Sequence, residues 1–178
     1  MKKLFFVLFS LTINVDTFAA FESTYEPLQS EKILFINGNI LDGEGNELLD
    51  TDLLIADGKI IAIGKGISVD DKDVKIIDAK NKWITPGIID IHSHMGVYPA
   101  PSVRTSSDGN EATSPVTAEV WAEHSMWVQD PQYALALKGG ITTFHVLPGS
   151  ANLIGGRGVT VKNLQRNTIQ SMKYPDAK

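Results

Sequence analysis

Residues 88–94 read Ile88-Ile89-Asp90-Ile91-His92-Ser93-His94, an apolar run that ends in two histidines one residue apart. On a β-strand alternate side chains point to the same face, so His92 and His94 project together, with Asp90 one step behind. Paired imidazoles at a strand end make half of a metal site. Pro86-Gly87 separates this strand from everything upstream. The neighbouring isoleucines argue that the strand is buried, and buried imidazoles need partners. The plainer alternative, a polar surface face, fits those neighbours less well.

Upstream, the pattern is of short strands. Lys32–Asn37 is β-rich and is expected to stop at Gly38. Asp52–Ala56 and Lys59–Ile63 flank Asp57-Gly58, a hairpin signal because that turn needs positive φ at both central positions. Val74–Asp78 and Lys82–Thr85 read as two further strands, so residues 31–85 are expected to form a small antiparallel unit. Its acidic residues fall mostly at turns, where capping explains them.

Downstream, the rhythm becomes strand, loop, helix, strand. A long polar stretch runs from Val97 to Pro115. Ser114-Pro115 predicts a helix through about Gln129. Asp130-Pro131 predicts a second, over Gln132–Lys138, stopped by Gly139-Gly140. Ile141–Leu147 and Val159–Lys162 read as the next strands, and this alternation implies a parallel sheet.

The start of the chain has the form of an export signal. Lys2-Lys3 precedes the apolar run Leu4–Leu11, and Thr17-Phe18-Ala19-Ala20 offers a cleavage site after Ala19. Residues 1–19 are therefore expected to be a signal peptide directing export, to a bacterial periplasm, with no stable membrane span. Residues 20–30 read as an exposed linker. The 178 residues are 43% hydrophobic and 21% charged, with a net charge of −5, an ordinary globular composition. No basic run marks a nucleic-acid partner. With no cysteine, a disulfide scaffold and a thiolate-held zinc are excluded.

Taken together, Pro86-Gly87-Ile88-Ile89-Asp90-Ile91-His92-Ser93-His94, the β-unit before it and Gly139-Gly140-Ile141-Thr142-Thr143 after it resemble the start of the amidohydrolase superfamily. Leu147-Pro148-Gly149-Ser150-Ala151-Asn152-Leu153-Ile154-Gly155-Gly156 resembles its imidazolonepropionase-like hydrolases. The resemblance covers roughly residues 31–178. It implies an α/β fold: a (β/α)8 TIM-like barrel preceded by a small antiparallel β-sandwich subdomain. Residues 31–85 would form the N-terminal part of the sandwich, and 86–178 the first barrel strands and helices. A whole barrel of this kind takes about 250 residues, so this chain is expected to be an N-terminal portion.

The resemblance further implies a divalent metal, zinc foremost, as one or two ions with His92 and His94 among the ligands. It implies hydrolysis of an amide, cyclic amide or dipeptide C–N bond in a small-molecule substrate by metal-activated water. The catalytic residues and remaining ligands would lie on later strands, beyond residue 178, and a homo-oligomer is compatible with this reading. The alternative is an inactive fragment, or a non-catalytic exported metal-binding or interaction module on the same fold.

Other candidates have simpler readings beside the chemical one. Asp90 either orients a histidine or bonds backbone. His145 reads as a hydrogen-bonded structural histidine, and His124, between Trp121 and Trp127, as a packing residue. Gly155–Gly158 with Arg157 could cradle an anion, but the spacing matches no phosphate motif and a plain turn suffices. Lys162 ends its strand, whereas the family places its metal-bridging lysine on the fourth.

Overall fold

The computed structural model describes residues 20–70 and 72–175. The expected signal peptide lies outside the described residues. Among the described residues the chain forms two sheets, two short α-helices and two 3-10 turns. Strands β1 (Ile33–Leu41), β2 (Glu47–Ala56), β3 (Lys59–Gly64), β4 (Lys75–Asp78) and β5 (Trp83–Ile84) form the first sheet. The second contains β6 (Ile88–Ser93), β7 (Ile141–Val146) and β8 (Val159–Lys162). Helix α1 spans Gln132–Lys138 and α2 spans Ile169–Met172.

The β2–β3 hairpin turns on Asp57 and Gly58, both with positive φ (50° and 68°), as the Asp-Gly pair demands. The unit is not wholly antiparallel, however. β1 pairs antiparallel with β2, but β4 and β5 both run parallel to β1. Nor does β1 stop at Gly38. A Cβ there would meet Ile84 Cδ1 at 3.0 Å and Ala79 Cβ at 3.3 Å, so glycine lets the strand continue under close-packed neighbours. At the bulge beside it, Asn37 has φ 60° and its N–H donates to Asp52 Oδ1 at 3.0 Å. Asp52 Oδ2 accepts from the Ile67 N–H at 3.0 Å, so this buried carboxylate joins β2, the bulge and the loop after β3.

In the second sheet β6 and β7 are parallel, linked through the long stretch between them. β8 is antiparallel to β7, against the expectation of a uniformly parallel sheet. The segment between them, residues 147–158, forms no helix that could carry a crossover, and an antiparallel return needs none. The helix expected from Ser114 to about Gln129 is also absent. Val116 and Trp121 instead form bridges to Ile154 and Arg157, and only a 3-10 turn, Ala122–His124, remains. Gly156 (φ 119°) lets the two segments approach closely, since Val120 O, which accepts from the Arg157 N–H at 2.8 Å, lies 2.6 Å from where a Cβ would stand. With Val116, Thr117 and Val120 β-branched, the helix was a weak competitor. Gly155–Gly158 therefore serves as a pairing strip rather than an anion cradle.

The core gathers Phe144 and Val146 of β7, Val159 and Val161 of β8, Met172 and Ile169 of α2, Tyr133 of α1, Val97 and Ala122. Strand β6 is an edge strand of its sheet, paired on one side by β7. Among the described residues Ile88, Ile89 and Ile91 are 54%, 63% and 77% exposed, contrary to the burial their composition suggests. Residues 20–30 have no regular secondary structure and are mostly exposed, yet they are tied down at several points. Phe21 N–H donates to Glu123 Oε1 (2.9 Å), and Lys173 Nζ donates to Phe21 O (2.6 Å). Thr24 N–H donates to Gln170 O (3.0 Å), and Arg166 donates to Glu26 O (3.2 Å). The strap closes on a Lys173–Glu123 ion pair of 2.7 Å, with side chains only 8% and 0% exposed.

Candidate metal centre

His92 lies on β6 and His94 just past its end, their ring centroids 5.3 Å apart at 83°. The two are placed differently. His92 is exposed, and its N–H donates to Asp90 Oδ1 at 3.1 Å. Of the two readings of Asp90, the contact is therefore the backbone one. His94 is half-buried and its Nδ1 lies 2.9 Å from Leu147 O. A carbonyl only accepts, so Nδ1 carries the proton and Nε2 keeps its lone pair. Metal-bound histidines are oriented in this way, one ring nitrogen donating to a carbonyl and the other left for the ion. The donor set thus fits a divalent cation in part: two imidazoles, one with its tautomer fixed. Among the described residues no group of three or more His, Cys, Asp or Glu stands close enough to hold an ion.

The remaining candidates take structural roles. His145 Nδ1 bonds Thr160 Oγ1 at 2.9 Å across the β7–β8 pair, as expected of a structural histidine. His124 is exposed, with its ring tilted against Phe21 at 4.9 Å. The Arg157 guanidinium lies over the Trp121 ring at 4.6 Å, and Lys162 Nζ over Tyr174 at 5.1 Å.

Residues not singled out in the sequence shape the turn after His94. Buried Asp130 accepts from the Gly96 N–H (2.9 Å), the Ala100 N–H (3.2 Å) and the Gln132 N–H (3.0 Å). Asp130 had a sequence signal only as the start of α1. Gly96 has φ 81°, and a Cβ there would collide with the Tyr133 hydroxyl. Burial, with the Asp130 carboxylate nearby, holds Tyr133 protonated well above the usual phenol range.

No protein-family model matches the chain. A crystal structure of an amidohydrolase from Thermotoga maritima MSB8 superposes with a TM-score of 0.70 and 37% identity, over 82% of this chain and 37% of that one. The amidohydrolase tasK of Hapsidospora irregularis is 35% identical over 114 residues, 63% of this chain and 12% of its own length. The dihydroorotase of Bacillus cytotoxicus is 34% identical over 117 residues, 66% of this chain and 21% of its own length. The chain carries the N-terminal region of the amidohydrolase superfamily. It spans about a fifth or less of these curated relatives, all of which are named as enzymes. The mixed α/β architecture, with its sheets and few helices, matches that region of the superfamily.

Proposed function

We propose that the protein to which this region belongs is a metal-dependent hydrolase of C–N bonds in small molecules: amides, cyclic amides or dipeptides. The observation that carries the reading is the His94 Nδ1–Leu147 O contact, which leaves Nε2 free beside the His92 ring. Names of relatives support the reaction class, since they include an amidohydrolase and dihydroorotases. In this reading β6 and β7 are the first strands of a (β/α)8 barrel, and residues 31–85 are part of a β-sandwich. His92 and His94 sit at the C-terminal end of their strand, the end at which such barrels place their chemistry. They would hold the metal, zinc by preference for nitrogen donors, as one or two ions. When bound, such an ion polarises a carbonyl and lowers the pKa of water. This chain's own part is to present two imidazoles, the His94 ring in a fixed tautomer and kept from rotating by the Leu147 carbonyl. The remaining donors and the group that moves protons come from outside the described residues. Export to a periplasm through residues 1–19, and self-association, belong to the same proposal. No helix of the described residues is long and apolar enough to cross a membrane.

The test is metal content after dialysis, with turnover on a panel of linear amides, cyclic amides and dipeptides. His92→Ala and His94→Ala are each expected to weaken zinc binding by at least the ~10–100-fold that loss of a supporting partner costs. Zinc retention unchanged in both variants would overturn the reading. One observation favours a second reading, a metal-binding module without turnover: the described residues bring only these two imidazoles together. Zinc binding that depends on both histidines, with no hydrolysis of any panel member, would decide for it.

A further inference from the structure

His94 sits in a closed ring of contacts. Its Nδ1 donates to Leu147 O, the first residue of the loop that follows β7. Two residues on, the Gly149 N–H donates to Gly109 O, and the Ala151 N–H donates to Asn110 Oδ1 at 3.2 Å. Asn110 Nδ2 donates to the Tyr98 hydroxyl. The Tyr98 ring then returns to His94, edge-on at 5.7 Å and 76°. Glycine is required at two points of this ring. A Cβ on Gly109 would strike the Tyr98 ring, and one on Gly149 would strike Asn110 Oδ1 and the Tyr98 hydroxyl. The Tyr98 N–H also donates to His94 O at 3.0 Å, so backbone and ring of Tyr98 both bear on the same histidine.

From this geometry we infer that Tyr98 and Asn110 are positioning residues for His94. They hold the imidazole between the Tyr98 ring and the Leu147 carbonyl, so that Nε2 points one way. Neither residue is a metal ligand. The long polar stretch 97–115 thereby acts through His94, because it locks the loop that carries the carbonyl clamp. The inference rests on the metal reading only for its consequence; the clamp itself exists without an ion.

Long-range 15N–1H correlation spectra of histidine-labelled protein at about pH 8, above the ordinary imidazole range, read the His94 tautomer with no metal present. Competition between a chelator and Co2+ reads affinity. In the wild type His94 is expected wholly as the Nδ1–H tautomer. Asn110→Leu touches no histidine; it is expected to mix the two tautomers and weaken Co2+ binding by about tenfold. Asn110→Asp keeps the acceptor for the Ala151 N–H, and can accept from the Tyr98 hydroxyl, so it is expected to restore both. Where Asn110→Leu does not fold, Tyr98→Phe makes the same cut one oxygen away. A folded variant of either kind, with tautomer and Co2+ affinity both at wild-type values, would overturn the inference. A wild type with a single Nδ1–H tautomer and no Co2+ binding would refute the metal reading and leave the clamp standing.

Discussion

The two sheets satisfy their polar groups over different distances. In the first, Asp42 accepts from Glu44 and Asn46 within four residues, and Asp78 accepts from the Lys80 N–H two residues on and from Asn37 Nδ2 across 41 residues. Buried Asp52 reaches 15 residues, to Asn37 and Ile67, and the longest of these ties is the 41 residues from Asn37 to Asp78. Around the second sheet the ties run far: 34 residues from Gly96 to Asp130, 53 from His94 to Leu147, 102 from Phe21 to Glu123 and 150 from Ser23 to Lys173. Local closure builds a scaffold of strands and turns. Long-range closure aligns segments that folding alone would leave loose, and the paired imidazoles lie among those segments.

The largest break in this contrast is Lys173→Met. It strands the Glu123 carboxylate, buried and without its cation, and is expected to cost about 3–5 kcal/mol in urea unfolding. A loss under about 1 kcal/mol would show that the strap is incidental. Asp52→Ala sharpens the comparison from the other side. It leaves the Asn37 and Ile67 N–H groups without an acceptor, for about 1–3 kcal/mol, while Co2+ affinity stays at the wild-type value. If Asp52→Ala weakened metal binding as much as Asn110→Leu, the separation of scaffold from site would fail.

The smallest effect is one of pH. Tyr133 is raised by burial and then by Asp130, so its folded value exceeds its unfolded one of about 10. The proton then stays longer on the folded chain. The stability linked to this group is full below that value and is lost as pH rises above it. In an alkaline absorbance titration, Tyr133→Phe should remove the last tyrosine to ionise and flatten the alkaline fall in stability. An unchanged final step would assign that step to another tyrosine.

Signals that act within a few residues were legible in the sequence. Asp57-Gly58 gave its hairpin, Gly139-Gly140 ended α1 after Lys138, and His92 and His94 came out side by side. What escaped was backbone pairing between distant segments. Ser114-Pro115 looked like a helix start because nothing nearby announces that residues 153–157 will take the hydrogen bonds of residues 115–122. The direction of β8 and the parallel seating of β4 and β5 depend on connections whose path no local period encodes. Ile88, Ile89 and Ile91 mark a surface that water disfavours, but an apolar side chain does not name the neighbour that would cover it. The Tyr98–Asn110–Ala151 connection had no local signal, since its members come from two polar loops.

The strap over Lys173 has a mechanical corollary. Residues 21–26 are stitched to residues 166–173 by several bonds, and Tyr174 N–H donates to Thr160 O of β8, so a pulling force applied at residues 20 and 175 loads the strap and the edge of β8 together. The buried Lys173–Glu123 ion pair ties the same segment to residue 123, so the two ends of the described chain are fastened to one charge-assisted contact and share whatever tension either end receives.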